Sequence, residues 1–112
     1  MRHTMRLKSA PFEMIKSGTK KIELRLFDAK RATIQKGDTI EFENVTTGET
    51  LICEVVNLYR YADFETLYAH HSKTDIGYRE DELANPRDML SYYSEEDIRR
   101  YGVVGIEIQV IL

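Results

Sequence analysis

Five stretches of the chain alternate apolar and polar residues at the period of a β-strand. They fall near residues 4–8, 20–26, 38–44, 50–60 and 103–111. In the first, Thr4-Met5-Arg6-Leu7-Lys8 sets Met5 and Leu7 on one side. In the second, Ile22, Leu24 and Leu26 share one face, and Lys21, Glu23 and Arg25 share the other. The third turns Ile40 and Phe42 inward, the fourth Val55, and the fifth Val104, Ile106 and Ile108. The other face of the fifth mixes Glu107 and Gln109 with Val103 and Ile111, so the pattern predicts that it is partly covered. Because the first and last runs are both strong, they are expected to pair and close the sheet.

The segments between them carry helix and turn signals. Pro11 suits a first helical position, Phe12 and Ile15 supply an apolar side, and Gly18 can close the helix in a left-handed conformation. Residues 27–35 are irregular and read as a loop bearing Lys30 and Arg31. Thr46-Thr47-Gly48-Glu49 predicts a hairpin connection. Asp63 predicts an N-cap for a helix with Phe64, Leu67 and Tyr68 on one face. Asn85-Pro86 opens a short helix over 86–92, and Ser94-Glu95-Glu96-Asp97 resembles a capping box whose helix ends at Gly102. The polar stretch 72–85, with Glu80, Asp81 and Glu82, reads as a variable or mobile loop. The sum is an α+β, β-rich fold: a small barrel of five or six strands with short helices packed at its ends, in one domain over residues 1–112.

Composition narrows the classes. With 42% hydrophobic and 31% charged residues the chain is of globular type. No apolar run approaches membrane-spanning length, so no membrane partner is expected. Cys53 is the one cysteine, which excludes an internal disulfide and suits a reducing compartment. The first residues lack a signal-peptide core, and a cytoplasmic location is the expectation. The net charge of −3 argues against a general nucleic-acid coat, but its distribution is uneven. Residues 1–37 hold ten lysines and arginines against three acids, and residues 38–112 hold six against sixteen. A positive region built from the first third would attract an anion or a nucleic-acid backbone, unless folding interleaves the two parts.

The densest candidate chemistry lies in Gly18-Thr19-Lys20-Lys21-Ile22-Glu23-Leu24-Arg25. A lysine beside a glutamate can form an acid–base pair, and an arginine can grip a carboxylate or phosphate by two parallel hydrogen bonds. Strand parity groups Lys21 with Glu23 and Arg25. The order of a short helix, then G-x-K-x-x-E-x-R, then Lys36-Gly37-Asp38, resembles the ASCH family, a branch of the PUA-like β-barrels. The resemblance runs from Met5 to Ile108 and implies a PUA-like barrel of five or six strands. It implies a cleft, lined by the motif, that binds RNA or a nucleotide-like ligand. It stresses Lys20 rather than Lys21, together with Glu23 and Arg25. The glycine turn could rotate Lys20 inward, so both lysines stay candidates. One branch of the family hydrolyses acetylated cytidine with a lysine, a threonine and a distant glutamate, and the threonine position falls on Glu23 here. A carboxylate cannot replace a hydroxyl nucleophile without a change of mechanism.

The remaining candidates are weaker. Tyr59 and Tyr61 end a strand, and Tyr92 and Tyr93 end a helix. Exposed rings of this kind can stack on bases, and Tyr92 and Tyr93 are the candidates for doing so. Cys53 has no histidine or second cysteine at metal spacing and reads as structural. His70 and His71 are adjacent, point apart on a helix, and lack a third ligand, so no metal is expected. No cofactor fingerprint appears. The expected function is therefore RNA or nucleotide binding. Lys20, Lys21, Arg25 and Arg31 would meet anionic groups, Glu23 would accept hydrogen bonds, and Tyr92 or Tyr93 would stack. A small hydrolase acting on a modified nucleoside or RNA, with Lys20 and Glu23 moving protons, is one alternative. A protein-interaction module using the charged strand face is the other.

Overall fold

The computed structural model describes residues 1–111. Five strands, β1 (Arg2–Leu7), β2 (Ile22–Leu26), β3 (Thr39–Asn44), β4 (Thr50–Tyr61) and β5 (Val103–Val110), form one curled sheet in the order β1-β3-β4-β5-β2. Three helices, α1 (Ser9–Ser17), α2 (Phe64–His70) and α3 (Glu95–Tyr101), and a 3₁₀ helix over Pro86–Ser91 pack around it, and the 27–35 stretch, expected to be irregular, contains a short 3₁₀ turn at Arg31–Thr33. The expected β-rich, α+β architecture is present. The expected closure is not. β1 pairs in parallel with β3, while β5 lies antiparallel between β4 and β2. The strongest apolar strand is thus internal to the sheet, paired on both edges, as a strand rich in β-branched residues on both faces should be. β1 and β2 are left as the two edges of a half-barrel. A bulge between Val55 and Asn57 bends the long β4 and helps the sheet curl.

Two hydrophobic clusters lie on opposite faces of the sheet. The first joins Met5, Leu7, Ile40, Phe42, Cys53, Val55, Val104, Ile106 and Ile108 to Phe12 and Ile15 of α1. The second joins Ile22, Leu24, Leu26 and Val103 to Phe64 and Leu67 of α2, Ile98 of α3, and Ile76 and Met89. Ile22, Leu24 and Leu26 are therefore buried as predicted, but beneath the helical layer rather than inside the barrel. Gly105 permits this packing, because a Cβ there would stand 3.0 Å from Ile22 Cγ2. Strand alternation then turns the opposite face of β2, bearing Glu23 and Arg25, toward the barrel interior. Their cross-strand partners are Ile106 and Val104 of the first cluster.

Local signals held in most places. Asp63 accepts from the Thr66 amide (2.8 Å), Asn85 from the Arg87 amide (3.0 Å) and Ser94 from the Asp97 amide (3.1 Å). Helix α1 begins at Ser9, so Pro11 sits third rather than first, still within the turn whose amides have no helical acceptor. Gly18 closes α1 at φ 86°. Cys53 is buried, and that burial pushes its thiol up to about 11.

Candidate nucleotide-binding cleft

The end of α1 decides which lysine meets Glu23. The Thr19 and Lys20 amides both bond to the Met14 carbonyl (3.0 and 3.1 Å), so Lys20 still belongs to the helix cap. The Lys21 and Ile22 amides turn to the Asp75 carbonyl, each at 2.9 Å, and regular strand starts only at Ile22. Strand parity therefore does not reach Lys20 or Lys21. Lys20 swings in and places Nζ 2.8 Å from Glu23 Oε1, while Lys21 stays in solvent. Arg25 Nε donates to the other oxygen, Oε2, at 2.6 Å.

Glu23 is 3% exposed and Lys20 9%, so this is a buried cation–carboxylate–cation triad. Burial alone would raise the Glu23 carboxyl. The charges and hydrogen bonds of Lys20 and Arg25 outweigh it and hold the group below its ordinary range. The Arg25 guanidinium is likewise opposed by burial, yet Glu23 raises its pKa. Arg25 Nη2 also donates to the Arg6 carbonyl at 3.1 Å. That bond joins β2 to β1, so a side chain spans the gap where the half-barrel has no strand ladder.

Above the triad opens a cleft of about 450 Å³. Lys20, Glu23 and Arg25 line its base, and Arg6, Lys8 and Pro11 approach from the β1–α1 side. Tyr92, Tyr93 and Met89 come from the segment around the 3₁₀ helix, and Tyr68, Ile76, Gly77 and Tyr78 from α2 and the loop after it. Tyr93 is half-buried and stacked on Phe64, with centroids 6.1 Å apart. Tyr92 is 57% exposed, and Lys8 Nζ lies 5.3 Å from its ring centroid. Tyr78 donates to Asp88 Oδ2 at 2.7 Å. Since a carboxylate only accepts, Tyr68 is left to donate to Tyr78 across 2.9 Å.

A family model, the ASCH domain, matches residues 5–111. The chain belongs to the ASCH domain family. Among solved structures, hypothetical protein PH0355 is 32% identical, with 99% of this chain and 100% of that one covered at a TM-score of 0.84. Protein PF0455 from Pyrococcus furiosus, solved by NMR, is 30% identical over 99% of this chain and 98% of that one, with a TM-score of 0.75. The S128A mutant of ZmASCH from Zymomonas mobilis shares the fold at 13% identity. It covers 96% of this chain and 67% of its own, with a TM-score of 0.68. Among curated proteins there is no match to this chain.

Within this ASCH domain the candidate residues separate. Lys20, Glu23, Arg25, Tyr92 and Tyr93 meet in the cleft, whereas Lys21 and Arg31 do not line it. Arg31 sits on a neighbouring groove, bonded to Asp28 at 3.0 Å. The cleft is also less basic than its motif suggests. Arg6, Lys8, Lys20 and Arg25 face Glu23, Glu82 and Asp88. Folding interleaves the basic first third with later acids, as in Arg2–Glu41 (3.6 Å), Arg6–Glu43 (3.5 Å) and Lys16–Glu49 (2.6 Å).

Sequence reasoning passed over Arg6, Lys8, Tyr68, Gly77 and Tyr78. The 72–85 stretch wraps the ASCH cleft, with Ile76 buried and the Gly77 backbone laid on Lys20. A Cβ at Gly77 would come within 3.1 Å of Lys20 Cδ, at a φ of +110° that favours glycine. The signal was Ile76-Gly77-Tyr78 itself, an apolar, a flexible and an aromatic residue within a polar run. Among the described residues no helix is long and apolar enough to cross a membrane.

Proposed function

We propose that the cleft binds the base of an RNA strand or of a nucleotide-like ligand. The observation that carries this reading is Glu23, a buried carboxylate beneath an open cleft walled by tyrosines. Each of its oxygens is engaged by one cation, and a carboxylate oxygen has two lone-pair sites, so each keeps capacity for a ligand N–H. Nucleobases pair such donors with a flat π-face, and the Tyr92 and Tyr93 rings supply stacking partners. Lys8 at the rim fits the backbone of an adjoining nucleotide in a strand. The family resemblance to RNA-binding PUA-like barrels points the same way.

Two observations weigh against hydrolysis. No serine, threonine, cysteine or histidine stands among the lining residues, so a covalent route would have to use Lys20, a carboxylate or a tyrosine as nucleophile. A carboxyl held below its ordinary range is also a weak base at neutral pH, where a general base works best with a pKa near the operating pH. The test is fluorescence anisotropy with labelled single-stranded RNA, for wild type, Lys8→Glu and Glu23→Gln, with acetylated cytidine and RNA turnover measured in parallel. Saturable binding that weakens between about 50 and 200 mM salt, is reduced in Lys8→Glu and changes base preference in Glu23→Gln is the expected result. Wild-type turnover that disappears in Glu23→Gln would make the protein a hydrolase. Absence of any RNA binding at low salt would end the nucleic-acid reading.

A further inference from the structure

A second groove of about 460 Å³ runs beside the cleft, along the β1 side of the sheet. Arg6 and Arg25 line both, so the two are adjacent, with the Arg25 guanidinium that bridges the sheet edges between them. The groove adds Lys30 and Arg31 from the loop after β2, and Glu41 and Glu43 from β3 stand opposite. Each of these glutamates has an arginine of β1 within 3.6 Å (Arg2 and Arg6). Lys30 is exposed and makes no ion pair among the described residues. Arg31 Nη1 bonds Asp28, and its Nε is a buried donor without an acceptor. Four cations thus line the groove against Glu41 and Glu43; Arg6, Arg25 and Arg31 each have a carboxylate partner, which leaves Lys30 as the one without an acidic partner among the described residues.

We infer that this groove takes the phosphate attached to the nucleoside whose base occupies the cleft, with Lys30 and Arg31 as its contacts and Arg25 between the two subsites. The inference rests on the base-binding reading of the cleft. It makes the preferred ligand a nucleotide rather than a free base or nucleoside. The phosphate is either the terminal group of a mononucleotide or the diester linking two residues of a strand, and both present oxygens to guanidinium and ammonium groups in the same way.

The experiment is a calorimetric titration of wild type, Lys30→Glu and Lys36→Glu. The ligands are the four ribonucleosides, their 5′- and 3′-monophosphates, and dinucleoside monophosphates. Lys30 is exposed and outside the base cleft, and Lys36 is an exposed lysine outside the groove that controls for net charge. Amide shifts at residues 29–32 are followed by NMR in parallel. The inference expects one phosphate position to tighten binding by about tenfold, roughly the scale of one charge-assisted contact. Lys30→Glu should remove most of that gain and leave nucleoside affinity in place, while Lys36→Glu should keep the gain. A gain with dinucleoside monophosphates alone assigns the diester, and a gain with mononucleotides assigns the terminal phosphate. Equal affinity for nucleosides and nucleotides, or a phosphate gain that survives Lys30→Glu, would overturn the inference and leave base binding standing. If no nucleoside or nucleotide perturbs the cleft, the base-binding reading fails and the groove assignment fails with it.

Discussion

The two faces of β2 are both buried, but by opposite chemistry. On one, Ile22, Leu24 and Leu26 pack under α2, α3 and the 3₁₀ helix. On the other, Glu23 and Arg25 turn into the mouth of the half-barrel and are satisfied by Lys20, by each other and by the Arg6 carbonyl. The apolar face gains stability directly, at about 25 cal/mol per Å² removed from water. The charged face must first overcome desolvation, and ion pairing in the interior often only breaks even. A strand that needed only stability would carry apolar residues on both faces. The charged face is thus better explained by the cleft above it than by the fold beneath it.

The largest effect is expected at Glu23. Glu23→Ala leaves two cations without their shared anion and should destabilise by about 3–5 kcal/mol in a urea titration. Leu24→Ala removes buried methyl groups from the apolar face and should cost about 2–5 kcal/mol by the same measurement. The triple change Lys20→Met, Glu23→Leu and Arg25→Met removes every charge at once. It should be neutral or stabilising by about 1–4 kcal/mol and yet abolish binding. A triple variant as unstable as Glu23→Ala would mean that the triad exists for the fold after all. The smallest effect belongs to the exposed pairs on β1 and β3. Arg2→Ala, which breaks the pair with Glu41, should cost less than about 1 kcal/mol and fade in salt.

What could be read from the chain follows the same division. Alternation located all five strands, and Asp63, Asn85 and Ser94 marked helix starts, because these signals are local. Sidedness and pairing were not legible. Ile22, Leu24 and Leu26 alternate identically whether they face a barrel interior or a helical layer. The pairing of β1 with β3 depends on contacts between residues about forty positions apart, such as Arg6 and Glu43. Lys20 could not be chosen over Lys21 by parity, because its amide belongs to the cap of α1. Arg6 and Lys8 reach the cleft only once β1 and β2 have become facing edges. Tyr78 and Gly77 were hidden in a polar run whose composition resembles a surface loop.

Carbon-detected NMR titration of the Glu23 side-chain carboxyl reads its charge state without an intermediary. With its folded pKa depressed, the group stays ionised below the ordinary glutamate midpoint of about 4.3. Its contribution to stability is therefore present above that pH and is lost as pH falls through the folded pKa. Glu23 is expected to titrate below the ordinary glutamate value, in step with the onset of acid unfolding, and to stay ionised across the neutral range with ligand bound. A midpoint near neutrality would contradict it, because Glu23 would then be a proton-transfer group in place of a fixed anion at the base of a binding cleft.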